Sequence, residues 1–115
     1  MTTVIVYRDK EQHYKGFTCM GHANFAKKSF LRKSQPDILC AGISILVQTT
    51  IGALEDLACE DITFVDNEET GFIKCDFNKN LQEKSVFLLD SMVYGLEALS
   101  ESYGRTYLQV NFEEV

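Results

Sequence analysis

Cys40 and His22 are the residues whose types and setting could do chemistry, within the stretch GFTCMGHANFAKKSFLRKSQPDILCAGIS at residues 16–44. Asp37 is a good helix N-cap and Pro36 precedes it, so Ile38, Leu39 and Cys40 fall in a first turn whose backbone N–H groups lack intrahelical acceptors. The positive end of the helix dipole favours a thiolate there. A neighbouring imidazolium lowers a thiol pKa further, by one to several units from about 8.5. The Asp37 carboxylate opposes this unless it is engaged in capping the helix or in holding His22. In such a pair His22 takes the thiol proton and later returns a proton to a leaving amine. Free N–H groups around Cys40 and Ala41 are then the expected donors to an acyl oxyanion.

The same residues admit plainer readings. His22 follows Gly21 and could be a turn residue, and Cys40 could be a core residue on a buried helix face. Ser44, one helical turn beyond Cys40, could simply bond back to the backbone. His13 lies in the polar turn DKEQH and reads as solvated. Cys19 and His22 have a CxxH spacing, but no second compact ligand pair accompanies it for zinc. Cys19 could instead resolve an oxidised Cys40 in a thiol redox sensor. Cys59, at a helix end, and Cys75, on a strand face, read as packing residues, and no cofactor is expected.

The elements that must position these residues are legible from periodicity. Thr3–Arg8 and Tyr14–Met20 are rich in β-branched and aromatic residues and predict a hairpin. From Asp37, Ile43, Leu46, Val47, Thr50, Leu54, Leu57 and Ala58 recur at spacings of three and four, predicting a helix to about Leu57. Ile62–Val65 and Gly71–Phe77 predict a second hairpin around DNEET, with Ile73, Cys75 and Phe77 on one face. Helical spacing returns over Leu81–Tyr103, Gly104 is placed to end it, and Thr106–Phe112 is a last strand. The order is ββαββαβ. Its economical packing is an α+β domain spanning residues 1–115, a mostly antiparallel or mixed sheet with two amphipathic helices.

With 115 residues and 45% hydrophobic content the chain can build one core, not two. Its formal charge of −6 disfavours direct nucleic-acid binding through a basic face. MTTVIVYRDK lacks the features of a signal peptide, and no uninterrupted apolar run approaches the roughly 20 residues that span a bilayer. The expectation is a cytoplasmic protein with no membrane partner and four reduced cysteines. Residues 23–36 are the one long irregular stretch. They carry Lys27, Lys28, Arg32 and Lys33 and no acid, and long loops in compact domains are often functional.

The GHA triplet at Gly21–Ala23 with DILCAGIS at Asp37–Ser44 resembles the ribosomal-processing cysteine protease family, Prp. In that family a Gly-His-Ala triplet ends the second strand and a segment of the type Asp-Ile-Val-Cys-Ala-Ala-x-Ser opens the next helix. Here Leu39 stands at the usual valine and Gly42 at an alanine. The similarity extends more loosely through the order of elements and through YGLEALSESY at Tyr94–Tyr103. The resemblance implies a homodimeric cysteine endopeptidase that removes the N-terminal extension of large-subunit ribosomal protein twenty-seven. Carried over by position, it implies Cys40 as nucleophile, His22 as base and Asp37 as a third member. Gly21, Ala23, Ala41 and Ser44 become candidate substrate-binding or lid positions. The loop between the two motifs is longer than the family's usual one, so its closure over peptide is the point of departure. A ribosome-associated peptide-binding module without turnover is the alternative if the long loop misplaces the pair.

Overall fold

The computed structural model describes residues 1–22 and 37–115. Segment 23–36, with Ala23 and the expected lid, lies outside the described residues. The elements are β1 (Thr2–Arg8), β2 (Tyr14–Met20), α1 (Ile38–Gly52), β3 (Ile62–Asn67), β4 (Phe72–Phe77), α2 (Glu83–Tyr103) and β5 (Leu108–Glu114). They form a five-stranded mixed sheet in the order β3-β4-β2-β1-β5, with two helices. The pairs β1–β2, β2–β4 and β3–β4 are antiparallel and β1–β5 is parallel. The ββαββαβ reading and the α+β class hold.

Register explains the core. Val4 pairs with Cys19 and Val6 with Phe17, while Phe17 and Cys19 pair in turn with Cys75 and Ile73. Side chains at paired positions share a face, so alternation in each strand places one apolar row against the helices. Val4, Val6, Phe17 and Cys75 are completely buried, with Leu39, Val47 and Leu54 above them from the first helical segment and Leu89 and Leu96 from α2. The two helices approach at small residues, Gly42 against Leu99 and Gly95 against Leu46.

The first helical segment keeps its predicted start and reach, but not a uniform pitch. A π-turn, Ala53–Leu57, succeeds α1, with the Ala58 N–H donating to the Ala53 carbonyl at 2.9 Å. A wider turn rotates the residues beyond it about the helix axis. Leu54 and Ala58 are therefore buried, whereas Leu57, expected on the apolar face, is exposed. Cys59, expected to pack, is exposed in left-handed backbone at φ 53°. Ile38–Leu57 has the length and mean hydropathy, 1.6, of a membrane-crossing segment. Here that apolarity is spent on the sheet and on α2, since Leu39, Ile43, Val47, Ile51 and Leu54 all belong to the core.

Candidate active site

The site is built where β2 ends and α1 begins. Asp37 has extended backbone, and its Oδ1 accepts a hydrogen bond from the Cys40 N–H at 2.9 Å. This is an N-cap bond to the third helical residue. It fixes the first turn that carries the Cys40 side chain, which is half-buried. The Ala41 N–H donates to the Asp37 carbonyl at 3.0 Å. Both N–H groups expected to serve an oxyanion are thus engaged in starting the helix, a correction to the sequence reading. Ala41 itself is exposed and does not line the cavity that His22 and Cys40 share.

His22 is held from the other side. β2 stops at Met20, and Gly21 turns the chain with φ +89°, a conformation that glycine adopts without penalty. The Gly21 N–H donates to the Gly71 carbonyl at 3.0 Å, so the β3–β4 turn clasps the end of β2. Gly71 also has positive φ, and a Cβ there would stand 2.7 Å from the Gly21 oxygen and 3.0 Å from His22 Cε1. His22 Nε2 lies 3.5 Å from the Glu69 carbonyl in the same turn.

A cavity of about 240 Å³ joins these parts. Gly21, His22, Cys40 and Ser44 line it together with Cys19, Ile43, Val47, Gln48, Asp66 and Ile73. Of the candidate positions, Gly21, His22, Cys40 and Ser44 meet at one opening, Asp37 supports it through the Cys40 N–H, and Ala23 lies outside the described residues. Sequence reasoning missed Gly71, Gln48 and Asp66. Gln48 continues the helical stripe of Cys40 and Ser44 at a spacing of four, a signal present in the chain. Gly71 had only its turn residues to announce it, because its partner belongs to the other hairpin.

Two further thiols, those of Cys19 and Cys75, are buried. Burial, with a smaller contribution from Cys40, pushes the Cys19 thiol up to about 11. Burial followed by the charges of Asp76 and Glu55 pushes Cys75 up to about 12. Both are protonated at neutral pH and poor nucleophiles. No group of three His, Cys, Asp or Glu side chains among the described residues is placed to hold a metal ion.

A half-buried thiol in the first turn of a helix, facing a cavity that it shares with a histidine, on a small mixed α+β sheet, defines a cysteine peptidase class of site. The family model of the cysteine protease Prp matches residues 1–108, and the chain belongs to that family. The ribosomal processing cysteine protease Prp of Bacillus subtilis strain 168 is 25% identical over 107 residues, covering 90% of each chain. The fold is similar to that of the ribosomal processing protease Prp from S. aureus in complex with a covalently linked product peptide. That match has a TM-score of 0.83 at 20% identity and covers 98% of this chain and 100% of the other. The same protease in complex with a substrate peptide matches at 0.81 and 19% identity, with the same coverage.

Proposed function

We propose that this chain is a cysteine endopeptidase of ribosome maturation, removing the N-terminal extension of large-subunit ribosomal protein twenty-seven. Cys40 is its nucleophile and His22 its base. The observation that carries this is the common cavity wall of the Cys40 thiol and the His22 ring in a member of the Prp family. His22 takes the Sγ proton as Sγ attacks the scissile carbonyl carbon. Collapse of the tetrahedral adduct breaks the C–N bond, the imidazolium protonates the departing amine, and water then hydrolyses the thioester with His22 again as base. Asp37 acts as a positioning residue through the Cys40 N–H, and Ser44 and Gly21 shape the peptide's seat.

The domain works as one unit over residues 1–115, in the cytoplasm, as a homodimer, without nucleic acid or membrane as direct partner. A reducing compartment suits its cysteines, which are all free. Exposed Ile45, Phe87 and Tyr94 on the helices offer apolar surface to a second copy. The thiol-redox reading has one observation in its favour, since Cys19 lines the same cavity as Cys40. Against it, the raised Cys19 thiol makes a slow resolving group. A peptide spanning the extension junction, incubated with the protein and weighed by mass spectrometry, tests the proposal. Two fragments are expected from the wild type and none from Cys40→Ala or His22→Ala, while binding without fragments from the wild type overturns turnover.

A further inference from the structure

The turn between β3 and β4 bears on the active site through more than Gly71. Asn67 and Phe72 close the ladder of that hairpin, and residues 68–71 connect them. Asn67 Oδ1 accepts from the Glu69 N–H at 3.1 Å and from the Thr70 N–H at 3.4 Å, and Thr70 Oγ1 donates to the Asn67 carbonyl at 3.4 Å. An asparagine side chain used this way stands in for a backbone acceptor and sets the conformation of the turn. Asn67 also lines the cavity that His22 and Cys40 share.

The backbone that Asn67 organises is the backbone that meets His22. The Glu69 carbonyl stands 3.5 Å from His22 Nε2, and the Gly71 carbonyl accepts at 3.0 Å from the N–H of Gly21, the residue before the histidine. His22 itself is exposed, so close packing does not fix its ring. Among the described residues the Glu69 carbonyl is the hydrogen-bonding group beside that ring. A catalytic base needs a third group to hold its orientation. A main-chain carbonyl can fill that place only as well as its turn keeps its shape.

We propose that Asn67 is a positioning residue for the catalytic base: it shapes the turn whose Glu69 carbonyl orients the His22 ring and whose Gly71 carbonyl anchors the residue before it. This role rests on the protease reading, in which His22 serves Cys40, and adds the group that holds the base. Asn67 acts through the turn and not on the peptide, so its loss falls on kcat while KM is kept. Aspartate keeps the accepting oxygen and forms the same kind of turn, which makes Asn67→Asp the conservative variant. Its added charge, beside exposed Glu68 and Glu69, is screened at high salt.

The test compares Asn67→Ala, Asn67→Asp and a control at the other end of the hairpin, Asn78→Ala, by cleavage of the extension-junction peptide at high salt and by the NMR resonance of the His22 ring. Asn78 bonds Asp61 and Thr63 and does not line the cavity. His13, before the opposite end of β2, is the internal reference for the spectra. Asn67→Ala is expected to lose at least about tenfold in kcat per folded protein, with KM nearly unchanged, and to move the His22 Hε1 resonance while that of His13 stays. Asn67→Asp is expected to regain most of the wild-type kcat, and Asn78→Ala to match the wild type. A wild-type kcat in Asn67→Ala, a loss confined to KM, or a loss that Asn67→Asp does not recover overturns the positioning role. If the wild type cleaves no peptide, the protease reading falls and the resonance decides alone. A His22 shift in Asn67→Ala that is absent in Asn78→Ala then supports the role of the turn, and an unmoved resonance overturns it.

Discussion

At the scale of single residues, the first turn of α1 is set by Asp37, whose side chain accepts from the Cys40 N–H. An acidic cap three positions before a cysteine is a signal contained in four residues, and the observed bond from the Cys40 N–H to Asp37 Oδ1 is what that signal describes. The same bond corrects the expected oxyanion donors, because a cap that satisfies the Cys40 N–H removes it from other work. It also separates two roles for Asp37. Asp37→Ala deletes the acceptor and is expected to cost about 1 kcal/mol of stability, with a loss of activity as the first turn loosens. Asp37→Asn keeps an oxygen at the same place, and its activity is expected to stay near that of the wild type. Urea titration and peptide cleavage of both variants check this; an inactive but stable Asp37→Asn would show that the charge itself is needed.

At the scale of elements, strands and helices were readable because their periods, two and near 3.6, are written in consecutive side chains. Contacts between elements were not. Nothing near Gly71 announces that it abuts His22, because that contact is made by the sheet order, which brings the β3–β4 turn beside the end of β2. The π-turn at Ala53–Leu57 was hidden for a related reason. Leu54, Leu57 and Ala58 fit a regular helix on paper, and only the packed structure shows Leu57 turned outward. Gly71→Ala places a methyl group 2.7 Å from the Gly21 carbonyl and 3.0 Å from the His22 ring, in backbone that disfavours any side chain. The variant is expected to fold and to lose at least about tenfold in kcat, the effect of a histidine displaced from its place. A wild-type cleavage rate in a folded Gly71→Ala protein would remove the turn from the site.

At the scale of the whole molecule, one core carries both the sheet and the site, and two of its thiols make the fold sensitive to alkali. Cys19 and Cys75 are pushed up from 9.0 to about 11 and about 12, mainly by burial. Unfolding exposes them, so above pH of about 9 the unfolded chain ionises thiols that the folded chain keeps protonated. Their contribution is fully present below that pH and falls as pH rises through it, on the order of 1.4 kcal/mol per pH unit for each thiol. Urea midpoints are expected to fall from pH 8 to pH 10, with a shallower slope in Cys75→Ala; a flat profile would contradict the burial. The cavity that joins Cys40 to His22 depends on this same core, through Cys19, Ile43, Val47 and Ile73 in its walls. The most direct measurement of whether it is a cysteine-protease site uses a peptide chloromethyl ketone ending at the scissile residue, with intact mass and peptide mapping of the adduct. One adduct on Cys40, formed much more slowly in His22→Ala, is the predicted result; modification of exposed Cys59 with Cys40 untouched would contradict it.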